Sequence, residues 1–139
     1  MHHIIYLSRA VREPTPAELV SLLLEARSHN EQVGITGALA YGDMQFMQVI
    51  EGEEAAVADL YERIARDPRH QSVFKLADKA IAERSFDNWS MAFRETTPGE
   101  FADLLGYASP AEWKRIAFGS ASADALLLER MRELVVADH

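Results

Sequence analysis

Tyr6, Asn30 and Gln48 are polar side chains at positions where the surrounding pattern asks for core residues. In the run Met44-Gln-Phe46-Met-Gln48-Val-Ile50, strand alternation puts Met44, Phe46, Gln48 and Ile50 on one face. Gln48 therefore points with a Met, a Phe and an Ile. A primary amide buried without partners costs about 1–3 kcal/mol, so it must be satisfied by protein, water or a ligand. The amides of Asn30 and Gln48 each offer one carbonyl acceptor and one NH₂ donor, which complements a ligand edge that alternates C=O and N–H. The alternative is three polar residues satisfied separately by backbone and water.

Other chemistries find less support. The chain has no Gly-x-Gly-x-x-Gly, no phosphate loop ending in Gly-Lys-Ser/Thr and no Gly-x-Ser-x-Gly nucleophile elbow. It has no Cys, so thiolate nucleophiles, disulfides and cysteine metal sites are excluded. The five His are scattered without a His-x-x-x-His pair, and no metal site is expected. Glu51, Glu53 and Glu54 read as carboxylates favouring the start of the following helix rather than as paired catalytic acids.

These side chains need a framework to position them, and 139 residues with 48% apolar content suit one domain with a real core. A net charge of −8 argues against a nucleic-acid or anionic-membrane partner, because both are bound through excess Lys and Arg. No stretch is apolar enough to span a bilayer, and the first residues lack the pattern of a secretion signal. A soluble cytoplasmic protein is expected.

Residues 3–8 read as a strand in which Ile4, Tyr6 and Ser8 share a face. Thr15-Pro-Ala-Glu18 is a capping box with Pro at the first helical position. The stripe Leu19, Leu22, Leu23, Ala26 then runs at helical spacing to His29 and Asn30, so the apolar face of this helix ends in polar groups. Gly34-Ile-Thr-Gly37 reads as a turn, and residues 38–41 and 44–50 as a hairpin closed by Gly42-Asp43. A second helix is predicted over 53–66, with Val57, Leu60, Tyr61 and Ile64 as its stripe, ended by Asp67-Pro68. Further strands are predicted over 73–82 and 89–93, the latter with Trp89, Met91 and Phe93 on one face.

The order βαββαββ predicts an α+β, ferredoxin-like sandwich: a mixed five-stranded sheet with two helices on one face. Its first strand lies centrally beside the third, so Tyr6 and Gln48 can both face the helices, with the Asn30 end of the first helix above them. The two helical stripes could wall a slot suited to a flat heterocycle. From Thr97 the chain is punctuated by Pro98-Gly99, Ser109-Pro110 and Gly119-Ser120, with a last helix predicted over 123–136. This tail is expected to cover the sheet's open face or to make a subunit contact.

Tyr6-Leu-Ser8-Arg-Ala10, Arg27-Ser-His-Asn30, Gly34-Ile-Thr-Gly37, Phe46-Met-Gln48-Val-Ile-Glu-Gly52, Asp67-Pro-Arg-His70 and Trp89-Ser-Met91-Ala-Phe93 resemble the blue-light-sensing FAD domain known as BLUF, in order and with its gaps. Ala92 stands where the family commonly has Gly. The resemblance implies a photosensor domain over residues 1–96; the helical extension over 97–139 lies outside it and is expected to serve capping, oligomerisation or output. It implies FAD held without a covalent bond, with FMN or riboflavin as possible substitutes.

On the same basis Asn30 would bond the pyrimidine edge with His29 nearby, and Gln48 would bridge Tyr6 and the flavin N5/O4 edge. Leu22, Leu39, Phe46 and Ile64 would pack on the ring, Ser8 would line the site, and Arg63, Asp67, Arg69 and His70 would lie towards the phosphates. Tyr6 would donate an electron and a proton, Gln48 would rotate or tautomerise, and Met91 or Trp89 would relay the change. A homo-oligomer and a separate downstream signalling protein are the expected partners, with no enzymatic activity. Two other functions fit the residues less well: a small flavin oxidoreductase, which light-independent NAD(P)H turnover would reveal, and a cofactor-free interaction module, which would stay colourless after reconstitution.

Overall fold

The computed structural model describes residues 1–108 and 123–137, so the punctuation at Ser109-Pro110 and Gly119-Ser120 lies outside the described residues. Strands β1 (His2–Ala10), β2 (Thr36–Gly42), β3 (Gln45–Gly52), β4 (His70–Ala80) and β5 (Ala92–Glu95) form one sheet in the order β4-β1-β3-β2-β5. β1 pairs antiparallel with both β3 and β4, and β5 joins the far edge parallel to β2. This is the mixed five-stranded ferredoxin-like sandwich that the element order predicts.

Alternation divides the sheet cleanly. Ile4, Leu39, Phe46 and Ile50 pack with Leu19 and Leu23 of α1 (Pro16–Val33) and Val57 of α2 (Glu54–Ala65). Ile5, Ala38, Ala40, Met47 and Val49 pack on the opposite face, against Phe101 and Leu104 of α3 (Pro98–Ala108) and Leu127 and Met131 of α4 (Ala123–Ala137). The tail helices thus cover the open face, and the small side chains of Ala38 and Ala40 leave room for them. Burial on both faces explains why β2 and β3 read as nearly continuous apolar runs.

Helix α1 is closed at both ends by local chemistry. Thr15 Oγ1 accepts from Glu18 N–H at 3.2 Å, and Glu18 Oε1 accepts from Thr15 N–H at 3.1 Å. At the other end Gly34 takes a left-handed φ of 71°, and Ile35 N–H donates to Asn30 C=O at 2.9 Å. The helix stop therefore fixes the backbone of Asn30.

Three sequence expectations are corrected here. Gly37 lies within β2 rather than in a turn: a Cβ there would stand 2.0 Å from Val49 O, so the glycine serves a close approach of two backbones. Gly42 likewise belongs to the strand, where a Cβ would meet Thr96 Oγ1 at 2.1 Å, and the hairpin turns instead on Asp43 and Met44, with φ of 50° and 60°. Finally, β5 starts at Ala92, so Trp89 and Met91 precede it rather than alternating within it.

Candidate functional site

Between α1, α2 and the sheet lies a cavity of about 660 Å³, within the range that encloses small organic ligands. Leu22, Leu39, Phe46 and Ile64 supply apolar lining, and Tyr6, Asn30 and Gln48 supply polar groups. Exposed Glu25, Arg63 and Arg69, with Asp67, His29 and His70, complete the lining at the more solvated end. Ser8, Met91 and Trp89 are not among the lining residues. Ser8 is buried behind the lining and bonds through Oγ to His70 Nδ1 at 2.9 Å, while His70 Nε2 bonds Ile64 C=O.

Tyr6 and Gln48 are direct cross-strand partners in β1 and β3. The Tyr6 hydroxyl donates to Gln48 Oε1, and Gln48 Nε2 donates to Met91 Sδ at 3.5 Å. All three residues are buried, with Gln48 6% exposed. Burial, reinforced by repulsion from Tyr61 and Asp67, pushes the Tyr6 phenol well above its ordinary pKa, so it stays a donor at every physiological pH. A thioether is a weak acceptor, so the amide holds a soft partner at its NH₂ and a phenol at its carbonyl oxygen. Tyr61 stands edge-on to Tyr6 at 5.9 Å between centroids and carries the Lys75 ammonium 4.7 Å above its own ring.

Asn30 is 1% exposed, and Nδ2 donates to Ser90 C=O at 2.6 Å. A carbonyl only accepts, so this bond sets the amide orientation and leaves Oδ1 as the other end. That oxygen is buried with no hydrogen-bond partner. A buried acceptor without a donor, on the wall of an apolar slot, fits the N–H of a heterocyclic ligand edge. The chain's residues therefore suit a flavin ring.

At the solvated end Arg69 is already committed: its guanidinium bonds Asp67 at 2.5–3.0 Å and reaches Glu25 at 3.5 Å. Hydrogen bonding to Arg69 holds the Asp67 carboxyl below the usual range. Arg63 Nη1 lies 3.2 Å from His29 Nδ1, and burial, with help from that cation, lowers the His29 pKa. Among the described residues no cluster of His, Asp and Glu could hold a metal, and no helix is long and apolar enough to cross a membrane.

Trp89 requires correction. Met91 packs in the cluster beneath α1, whereas Trp89 packs on Phe86, 6.2 Å between centroids, against the cluster on the other face of the sheet. The chain bends through residues 90–91, so two side chains expected on one face diverge.

Glu51 also departs from its expected place. It belongs to β3, not to the start of α2, and is fully buried. Oε1 accepts from Thr36 Oγ1 at 2.9 Å and Phe86 N–H at 2.6 Å, and Oε2 accepts from Ser85 N–H at 2.9 Å. Alternation from Gln48 already places Glu51 with Met47 and Val49, and a charge in that company signals buried partners. Glu25, missed from sequence, lies one helical turn before His29 and shares its face.

A ferredoxin-like sheet whose two covering helices enclose a slot lined by buried amides defines an α+β domain with a cavity shaped for a flat heterocycle. Residues 1–92 match the family model BLUF, described as sensors of blue-light using FAD, and the chain belongs to that family. It is 34% identical over 87 residues to the photoactivated adenylate cyclase subunit beta of Euglena longa, covering 62% of this chain and 10% of that protein. It is 29% identical over 103 residues to the blue light- and temperature-regulated antirepressor BluF of Escherichia coli (strain K12), covering 73% of this chain and 25% of that one. The chain thus spans about a tenth to a quarter of the length of these relatives. Among solved structures, BlsA in its photo-activated state superposes with a TM-score of 0.75 at 28% identity, over 97% of this chain and 94% of that one. Dark-state BlrB, a BLUF protein, gives 0.72 at 28% identity, over 95% of each.

Proposed function

We propose that the chain is a blue-light sensor that holds FAD between α1 and α2 and uses Tyr6 and Gln48 as its switch. The observation that supports this most is the buried chain Tyr6 O–H to Gln48 Oε1, Gln48 Nε2 to Met91 Sδ, running along one side of the slot. Bound flavin supplies blue absorption and, once excited, a strong one-electron oxidant. Tyr6 would give an electron and its phenolic proton to that oxidant and would take both back as the system relaxes. Gln48 leaves its starting hydrogen bonds while the phenol is oxidised and settles with its two unlike amide ends exchanged or tautomerised. Leu22, Leu39, Phe46 and Ile64 clamp the ring, Asn30 Oδ1 accepts from its edge, and Arg63 stands towards the phosphate side. Ser8 positions His70 at the lining, and Asp67 holds Arg69. Few of these contacts need the adenylate, so FMN and riboflavin are expected substitutes.

The output is protein contact. The relatives include a photoactivated adenylate cyclase subunit and an antirepressor, and in this chain the segment from β5 through α3 and α4 would present the change to a partner or to a second copy. Met91 carries the change from Gln48 to β5, and Trp89 answers it on the opposite face.

The test is an absorption spectrum of the flavin-loaded protein before and after blue light, with a small reversible red shift expected. Irreversible bleaching without a shift would sink the reading. Asn30→Ala removes the acceptor on the ring edge, and titration of flavin-free protein is expected to show about 10- to 100-fold weaker flavin binding. Unchanged affinity would remove Asn30 from the site.

A further inference from the structure

Residues 89–91 enter β5 with three consecutive carbonyls each held by a different donor. Trp89 C=O accepts from Gly37 N–H at 3.1 Å, Ser90 C=O from Asn30 Nδ2 at 2.6 Å, and Met91 C=O from Arg27 Nε at 3.0 Å. The first donor is strand backbone. The other two are side chains of α1, three residues apart and so on one side of the helix. Arg27 does not line the cavity, so this half-buried guanidinium spends a charge-assisted bond on the backbone of the residue whose sulfur accepts from Gln48.

We propose that Arg27 is the positioning residue that sets the register of residues 89–91 against α1 and thereby couples Gln48 to β5. The inference rests on the switch reading above. Met91 is held twice, at its carbonyl by Arg27 and at its sulfur by Gln48. When Gln48 lets go of the sulfur, Arg27 decides whether the backbone stays in register or slides. A slide of one residue towards β5 would carry Met91 to the place of Ala92, on the other side of the sheet, and it would break the bonds from both Arg27 and Asn30. The clamp thus opposes movement and hastens return.

Arg27→Met keeps the aliphatic stem and a comparable helix propensity but has no donor. In flavin-free protein, amide hydrogen exchange over residues 89–93 is expected to quicken about 10- to 100-fold, as loss of one charge-assisted bond implies. Exchange in β1 and β3 would stay unchanged. In flavin-loaded protein the light-induced shift keeps its size, dark recovery slows by about 10-fold or more, and the light-minus-dark infrared bands of the backbone amides change. Arg27→Lys, which restores a cationic donor, brings recovery back towards the parent rate.

Exchange over 89–93 within twofold of the parent overturns the clamp, whether or not the protein responds to light. Quickened exchange with unchanged recovery and unchanged amide bands overturns the coupling. A parent protein with no light-induced shift overturns the switch reading instead, and the exchange result still decides the clamp.

Discussion

Tyr6→Phe is expected to abolish the light-induced shift while leaving flavin bound. The substitution removes one oxygen and keeps the ring, so the edge-on contact with Tyr61 and the cavity wall survive. What disappears is the hydroxyl that β1 offers to Gln48 Oε1 and the group that supplies an electron and a proton. Dark absorption should change by no more than a few nanometres, because the flavin's apolar clamp is untouched. A full-sized reversible shift in Tyr6→Phe would show that the donor lies elsewhere. The pH behaviour adds a second check. Burial raises the Tyr6 phenol above its ordinary value, so the shift should keep its amplitude from about pH 6 to about pH 9. The folded state then holds this proton more tightly than the unfolded chain does. Its stabilising contribution is full below the unfolded pKa of about 10 and is lost as pH rises above it.

Glu51→Ala is expected to cost about 3–5 kcal/mol of stability, a large share of the ~5–15 kcal/mol that holds a domain together. The carboxylate collects donors from Thr36, Ser85 and Phe86 where water does not reach. Alanine leaves those donors unpaired and opens a cavity as well. Arg84, which bonds Thr36 Oγ1 at 3.0 Å and Glu51 C=O at 3.4 Å, ties the same turn, so its order should fall too. Urea unfolding measures the effect. Glu51→Gln should lie between the two, because one amide oxygen still accepts while the NH₂ faces a donor. A loss under about 1 kcal/mol in Glu51→Ala would mean that the turn finds other acceptors.

Both effects concern residues that the sequence treats unequally. Tyr6 and Gln48 are legible because alternation and element order alone put them side by side on the helix-facing side of adjacent strands, and the register pairs them directly. The capping box at Thr15 is legible for a related reason: all of its bonds lie within one turn of chain. Glycine is the ambiguous letter. Gly34 marks a left-handed helix end, but Gly37 and Gly42 mark places where another chain segment comes too close for a Cβ, and residue type does not distinguish the two uses.

Periodicity and local capping are short-range properties, so the order of strands and helices, the face on which Tyr6, Asn30 and Gln48 fall, and the slot that those elements enclose are written in the residue order alone. Long-range packing instead sets which donors hold the carbonyls of Trp89, Ser90 and Met91, which amides Glu51 accepts from, and on which side of the sheet Trp89 and Met91 come to rest. Every residue but proline carries the same N–H and C=O, so their direction is set by the path of the folded backbone and leaves no mark in the order of side chains.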